Sequence, residues 1–137
     1  MTQESHPLRK FQLQLRVRYQ ETDGQGRVHH ANYLNYFECA RVEMLRQAGF
    51  DYRKLEEDGF MLVVTEMDCR YHGAAVFDDL LTVSVETIRA KGTRIEHTYH
   101  IARGEDPIVS ARSMVACIAR SGRPCRLPDY LTFSAEA

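Results

Sequence analysis

The clearest alternation of apolar and polar positions runs from Phe11 to Tyr19. Phe11, Leu13, Leu15, Val17 and Tyr19 alternate there with Gln12, Gln14, Arg16 and Arg18. A period of two predicts a strand with one buried face, and puts Tyr19 last on that face. From Asn32 the period lengthens, and Tyr33, Phe37, Ala40, Met44 and Ala48 fall on one stripe at steps of three or four. That spacing predicts a long amphipathic helix. Asn32 suits its N-cap by type, Gly49 suits its stop, and Arg46 puts a cation in the last turn. Between strand and helix, the stretch from Glu21 to His29 holds Gly24 and Gly26, so the backbone can turn tightly there.

A second, short helix is predicted over Tyr52–Asp58, ended by Gly59. Beyond it the pattern reads as strands: Phe60–Tyr71, Leu80–Arg89, Arg94–Arg103 and Ile108–Arg120. The breaks at Lys91-Gly92 and from Gly104 to Pro107 have hairpin length, so neighbouring strands should be antiparallel. Pro124 and Pro128 mark an irregular tail, and the polar residues 1–9 are expected to be mobile. The inventory is α+β: about five antiparallel strands and one long helix. They bury each other best if the sheet curls around the helix. A curled sheet leaves edge strands that commonly pair across a two-fold axis, so a homo-oligomer is expected.

Composition narrows the classes. At 137 residues the chain is one domain, and its 44% apolar and 27% charged residues are ordinary for a globular protein. Disordered and collagen-like classes are excluded. Lysine plus arginine number 18 against 19 acidic residues, a net charge of −1, so the basic surplus of a sequence-independent nucleic-acid binder is missing. The longest apolar run, Phe60 to Val64, is far too short for a transmembrane helix. The first ten residues lack the apolar segment of a secretory signal. Cys39, Cys69, Cys117 and Cys125 form no C-x-x-C pair, and are read as reduced thiols of a cytoplasmic protein.

The candidate chemistry lies where strand, loop and helix meet. Asp23 sits in a loop that permits close approach of a ligand, just before a helix start with unpaired N–H groups and partial positive charge. Such donors can stabilise the oxyanion formed when a thioester carbonyl is attacked, each worth about 3–4 kcal/mol of barrier. A carboxylate on the other side of the carbonyl can attack it, or take a proton from the water that does. Tyr19 and the His30 ring are available to orient these groups. The blander reading makes Asp23 a turn residue beside glycine and leaves His29 and His30 in solvent. A metal is not favoured, because adjacent histidines without a third fixed partner make a poor zinc site. Glu21 to Gly26 imitates a calcium loop with glycine in sixth place, but its twelfth position is Asn32 rather than a glutamate. His97 and His100 fall on opposite faces of one strand and cannot share a site.

The stretch Y-x-x-T-D-x-x-G-x-V-x-H-x-x-Y, then F-E-x-A-R-x-E-M-L-R, spans Tyr19 to Arg46. It resembles the hotdog-fold thioesterases of the 4-hydroxybenzoyl-CoA thioesterase superfamily, particularly the YbgC-like acyl-CoA thioesterases. Weaker similarity continues through Phe60–Val64, Asp78-Asp79-Leu80-Leu81, Gly92 and the last long strand. The resemblance implies a curled sheet wrapped around one central helix, with active sites at a dimer interface. It matches Asp23 to the catalytic carboxylate, His30 to the residue whose backbone N–H polarises the thioester, and Tyr19 to a tyrosine beside the carboxylate. By the same match, Gly26 and Val28 shape the loop, while Asn32 and Tyr33 continue the helix start. It also places the helix start at or just after His30 rather than at the cap position of Asn32. Arg89, Lys91 and Arg94, around the Lys91-Gly92 hairpin, match basic residues that would meet the phosphates of coenzyme A.

The implied function is hydrolysis of an acyl-CoA thioester to free acid and coenzyme A, with no metal or redox cofactor, by a homodimer or homotetramer. Acyl carrier protein is the other carrier considered. Two alternatives differ in class. One is a non-catalytic protein that binds acyl thioesters, against which the retained Asp23 argues. The other is an enoyl-thioester hydratase, whose D-x-N-P-x-H arrangement the spacing of Asp23 and His30 does not match.

Overall fold

The structure, a computed structural model, describes residues 6–134. Strand β1 (Lys10–Arg16) leads through a loop to helix α1 (Asn32–Gln47) and the short helix α2 (Tyr52–Glu57). Four long strands follow: β2 (Met61–Tyr71), β3 (Leu80–Lys91), β4 (Arg94–Arg103) and β5 (Asp106–Ile118). They form one antiparallel sheet in the order β1-β3-β4-β5-β2, as the hairpin-length breaks require. Asp51 caps α2, its carboxylate accepting from the Arg53 and Lys54 amides.

The helix lies against the concave face of the sheet. Tyr33, Phe37, Ala40 and Met44 are buried as the stripe predicts, joined by Tyr36 and Leu45. Facing them, β3 contributes Leu81, Val83 and Val85, and β4 contributes Ile95, Tyr99 and Ile101. Each strand alternates between buried and more exposed positions, because one face meets the helix and the other does not. Register shifts after Val64 in β2 and after Thr87 in β3 bend the strands and help the sheet curl.

Two predicted segments differ. Residues 1–5 lie outside the described residues, but 6–9 are packed: Leu8 is buried, the His6 ring stacks on Phe133 at 4.3 Å, and Arg9 pairs with Glu86. The tail after Pro128 gains a short strand β6 (Phe133–Ser134), which pairs Arg89 and Ala90 where β1 has stopped at Glu86. The outer edge of β2 is open. Val64 and Tyr71 are about half exposed there, and no described strand pairs with it on that side.

His97 lies on the inner face, while His100 points away and is exposed. Burial, with the nearby Arg41 charge adding, pushes the His97 pKa from 6.5 down to about 3. The fold thus holds a neutral ring where the unfolded chain binds a proton. Its stabilising effect is complete above pH 6.5 and is lost as pH falls toward 3. Each pH unit in that window costs about 1.4 kcal/mol. Denaturant unfolding of the wild type and His97→Leu, from about pH 7 to about pH 4, should show the wild type losing stability more steeply. Parallel curves would contradict the assignment.

Candidate active site

The loop after β1 is built on Asp23. Its N–H donates to the Arg27 carbonyl at 2.8 Å, and its carbonyl accepts from Gly26 at 3.0 Å. Thr22 and Val28 then bridge the base of the loop. Gly26 has φ +80°, a conformation that side chains rarely adopt. The Asp23 side chain completes the turn: Oδ1 accepts from Gln25 at 2.8 Å and Arg27 at 3.3 Å. The carboxylate is half-buried, and Oδ2 has no hydrogen-bond partner among the described residues. Asp23 is therefore a turn residue with one oxygen committed and one open.

Helix α1 starts without a side-chain cap. Ala31 occupies the N-cap position in helical geometry, and no acidic residue stands in the first turn. Asn32 is the first helical residue rather than the cap its type suggested. Its Nδ2 donates to the Glu21 carbonyl at 2.8 Å, and its Oδ1 accepts from Asn35 at 3.1 Å. Capping falls partly to His29, whose Nδ1 accepts from the Ala31 amide at 3.1 Å and whose carbonyl accepts from Asn32 at 2.8 Å. The His30 N–H, just before the helix, donates to nothing among the described residues. A charge-poor helix start with an open amide is suited to a developing negative oxygen.

Two clamps hold loop and helix together. Glu21 is the first. Its carbonyl accepts from His29 at 2.9 Å, and its Oε1 accepts from the Tyr36 hydroxyl at 2.9 Å and the Arg18 amide at 2.8 Å. Burial and this bond to a carboxylate raise the Tyr36 pKa far above its ordinary value, so the hydroxyl stays a donor. The second clamp is the segment 74–76. The Ala75 carbonyl accepts from Val28 at 2.8 Å, and its amide donates to the Tyr33 hydroxyl at 3.3 Å. Arg103 fixes this segment, donating to the Ala74 carbonyl at 3.0 Å and to Asp79 Oδ2 at 2.9 Å, while Asp79 also accepts from Val76.

Several predicted residues stand elsewhere. Tyr19 is not on the inner face: β1 ends at Arg16, and Tyr19 is 76% exposed, its ring edge-on to Phe77 at 5.6 Å. The Arg18–Glu21 contacts close a tight turn that breaks the strand period two residues early. Val28 and Tyr33 are buried and, with Asn32, hold the junction rather than line an open surface. The His29 and His30 rings stack on each other at 4.4 Å and are exposed. Arg89, Lys91 and Arg94 are not brought to the loop. The Asp23 loop leaves the Arg16–Leu80 end of the sheet, and the basic hairpin lies at the other end of β3, roughly 35 Å along the strand. Sequence reading missed Tyr71, which ends β2, donates its hydroxyl to the His30 carbonyl at 3.2 Å and meets the His30 ring edge-on.

An antiparallel sheet wrapped around one long helix is the hotdog fold of its thioesterase neighbours. The chain belongs to the thioesterase-like superfamily, whose sequence profile matches residues 17–132. It is 38% identical over 109 residues to the acyl-CoA thioesterase YbgC of Haemophilus influenzae, covering 79% of this chain and 80% of that one. It is 34% identical over 109 residues to the acyl-CoA thioester hydrolase YbgC of Escherichia coli O157:H7, covering 79% and 81%. Among solved structures, a protein from Bartonella henselae described as a probable thioesterase superposes with a TM-score of 0.83 at 36% identity, over 87% of this chain and 99% of that one. A 1,4-dihydroxy-2-naphthoyl-CoA thioesterase from Synechocystis shares the fold, with a TM-score of 0.82 at 22% identity over 88% and 91%.

The Arg103 clamp is open to test. Arg103→Leu should speed hydrogen exchange at the Val28 amide, whose acceptor lies in the segment that Arg103 holds. Unchanged protection of Val28 would show that the 74–76 segment holds itself.

Proposed function

We propose that this protein hydrolyses acyl-CoA thioesters to a free acid and coenzyme A, using Asp23 and the His30 N–H. The observation that carries the proposal is the open Asp23 Oδ2 in a loop that leads directly into an uncapped helix start. The substrate carbonyl takes the hydrogen bond of the His30 N–H, which strengthens as negative charge gathers on the oxygen. Asp23 Oδ2 acts from the other side. As a general base it takes one proton of a water whose oxygen bonds to the carbonyl carbon. As a nucleophile it forms an acyl anhydride that water then cleaves. Either route breaks the carbon–sulfur bond and yields carboxylic acid and thiol. Two bonds to Oδ1 keep the carboxylate aimed, so little reorientation accompanies attack.

YbgC relatives named for acyl-CoA hydrolysis support the substrate class. The open edge of β2 supports a two-fold dimer, since Tyr71 at its end already touches His30 and a second copy paired there would wall the site. Antiparallel pairing also brings the far end of one sheet toward the other copy's Asp23 loop. That gives the hairpin of Arg89, Lys91 and Arg94 a route to the coenzyme phosphates of the neighbouring site.

Asp23→Asn keeps the Oδ1 acceptor and hence the turn, while removing the base. Its kcat/KM for acyl-CoA hydrolysis should fall by about a thousandfold with the melting temperature unchanged. Turnover near the wild-type level in this variant would end the proposal.

A further inference from the structure

Cys117 and Cys125 bring their sulfur atoms within 3.4 Å of each other. Backbone pairing sets the contact. The edge of β5 that faces β4 runs on past the start of β4 at Arg94, and there the chain's own return takes it over. The Ala119 amide donates to the Arg123 carbonyl at 2.8 Å, and the Cys125 amide donates to the Cys117 carbonyl at 3.0 Å. An antiparallel bridge between Ile118 and Pro124 lies between those two bonds. Cys117 and Cys125 therefore stand opposite each other, which puts their β-carbons about 5 Å apart. A disulfide spans about 3.5–4.5 Å between β-carbons, so a small closure of the turn suffices. Residues 121–124 at its tip are exposed, so little packing resists the movement. Cys39 and Cys69 have no such sulfur neighbour among the described residues.

We propose that Cys117 and Cys125 form a dithiol site that a low-molecular-weight disulfide oxidises to an internal bridge, fastening the C-terminal segment to β5. Cys125 reacts first, because it is half-buried while Cys117 is fully buried. Its thiolate attacks one sulfur of the reagent, forms a mixed disulfide and expels a thiolate, which takes up the proton that Cys125 lost. Burial, the hydrogen bond with Cys125 and the charge of an ionised Cys125 push the Cys117 thiol up to about 12. Capping Cys125 removes the causes that Cys125 supplies. Cys117 then loses its proton and attacks the Cys125 sulfur, breaking the mixed disulfide and releasing the second thiol. Two protein thiols are oxidised, one reagent disulfide is reduced to two thiols, and no other reactant enters. Neither step involves Asp23 or His30.

The bridge would act on a segment held by few bonds. Two residues beyond Cys125, the Leu127 amide donates to the Gly92 carbonyl at 2.8 Å, and further on β6 pairs with only Arg89 and Ala90. Within the turn, Arg120 donates to the Glu56 and Glu57 carbonyls at the end of α2. A covalent link across the base of this turn restricts the unfolded chain and the opening of the segment alike.

The test incubates the full-length protein with oxidised glutathione, alkylates the remaining thiols and maps the tryptic peptides. Cleavage after Arg120 leaves Cys117 and Cys125 on separate peptides. These should emerge joined by a disulfide that a reductant splits, while the exposed Cys39 carries only a glutathione adduct. In Cys117→Ala the adduct on Cys125 should persist, since the second step has no attacker; the wild-type map decides the question even if this variant folds poorly. The bridged protein should melt about 5 °C higher than the reduced one, with slower hydrogen exchange at the Leu127 amide. Alkylated Cys117 and Cys125 after an incubation that modifies Cys39, or a lasting adduct on Cys125 in the wild type, would overturn the proposal. Equal melting and equal Leu127 exchange in the bridged and reduced forms would overturn it as well.

Discussion

The amide of His30, just before α1, has no acceptor among the described residues, while the amides that follow it are bonded and much of the surrounding structure holds the junction still. A helix start is ordinarily quietened by a side-chain oxygen or an acidic residue in its first turn. Here neither is present, and the polar side chains that reach the junction attach to its edges. Glu21 ties the loop to His29 and Tyr36, Asn32 bonds outward to the Glu21 carbonyl, and His29 covers the next amide. Local capping stability is given up at one point, and packing of the buried helix face against the curled sheet offsets the loss. Rigidity at the junction comes from those partners.

Much of this was legible in the chain because it rests on local rules. Alternation in Phe11–Leu15 marked β1, and the stripe through Tyr33, Phe37, Ala40 and Met44 marked the buried face of α1. Hairpin-length breaks around Gly92 and Gly104 set the antiparallel pairing of β3, β4 and β5. With one helix available to cover one sheet face, a wrapped arrangement followed. Asp23 stood out by position, between a strand and a helix in a loop able to turn.

What was hidden depends on contacts distant in sequence, or on competition between local preferences. Tyr19 continues the alternating pattern, yet the Arg18–Glu21 turn ends the strand before it. Asn32 has the chemistry of a cap, but its side chain is drawn to Glu21, and the cap position passes to Ala31. Arg103 lies on a different strand from the loop it steadies, and only the folded sheet brings its guanidinium to Asp79 and Ala74. The basic hairpin shows another limit: within one chain the length of β3 separates it from the Asp23 loop, a distance that similarity by position does not carry.

A crystal structure with an acyl-CoA analogue in which a methylene replaces the thioester sulfur bears most directly on the junction. Such a ketone keeps the carbonyl but has no leaving thiol. Its oxygen should lie about 2.7–3.1 Å from the His30 nitrogen, with Asp23 Oδ2 facing the carbonyl carbon from the other side. A carbonyl bound away from the helix start, with Asp23 turned to bulk solvent in every copy, would contradict the account.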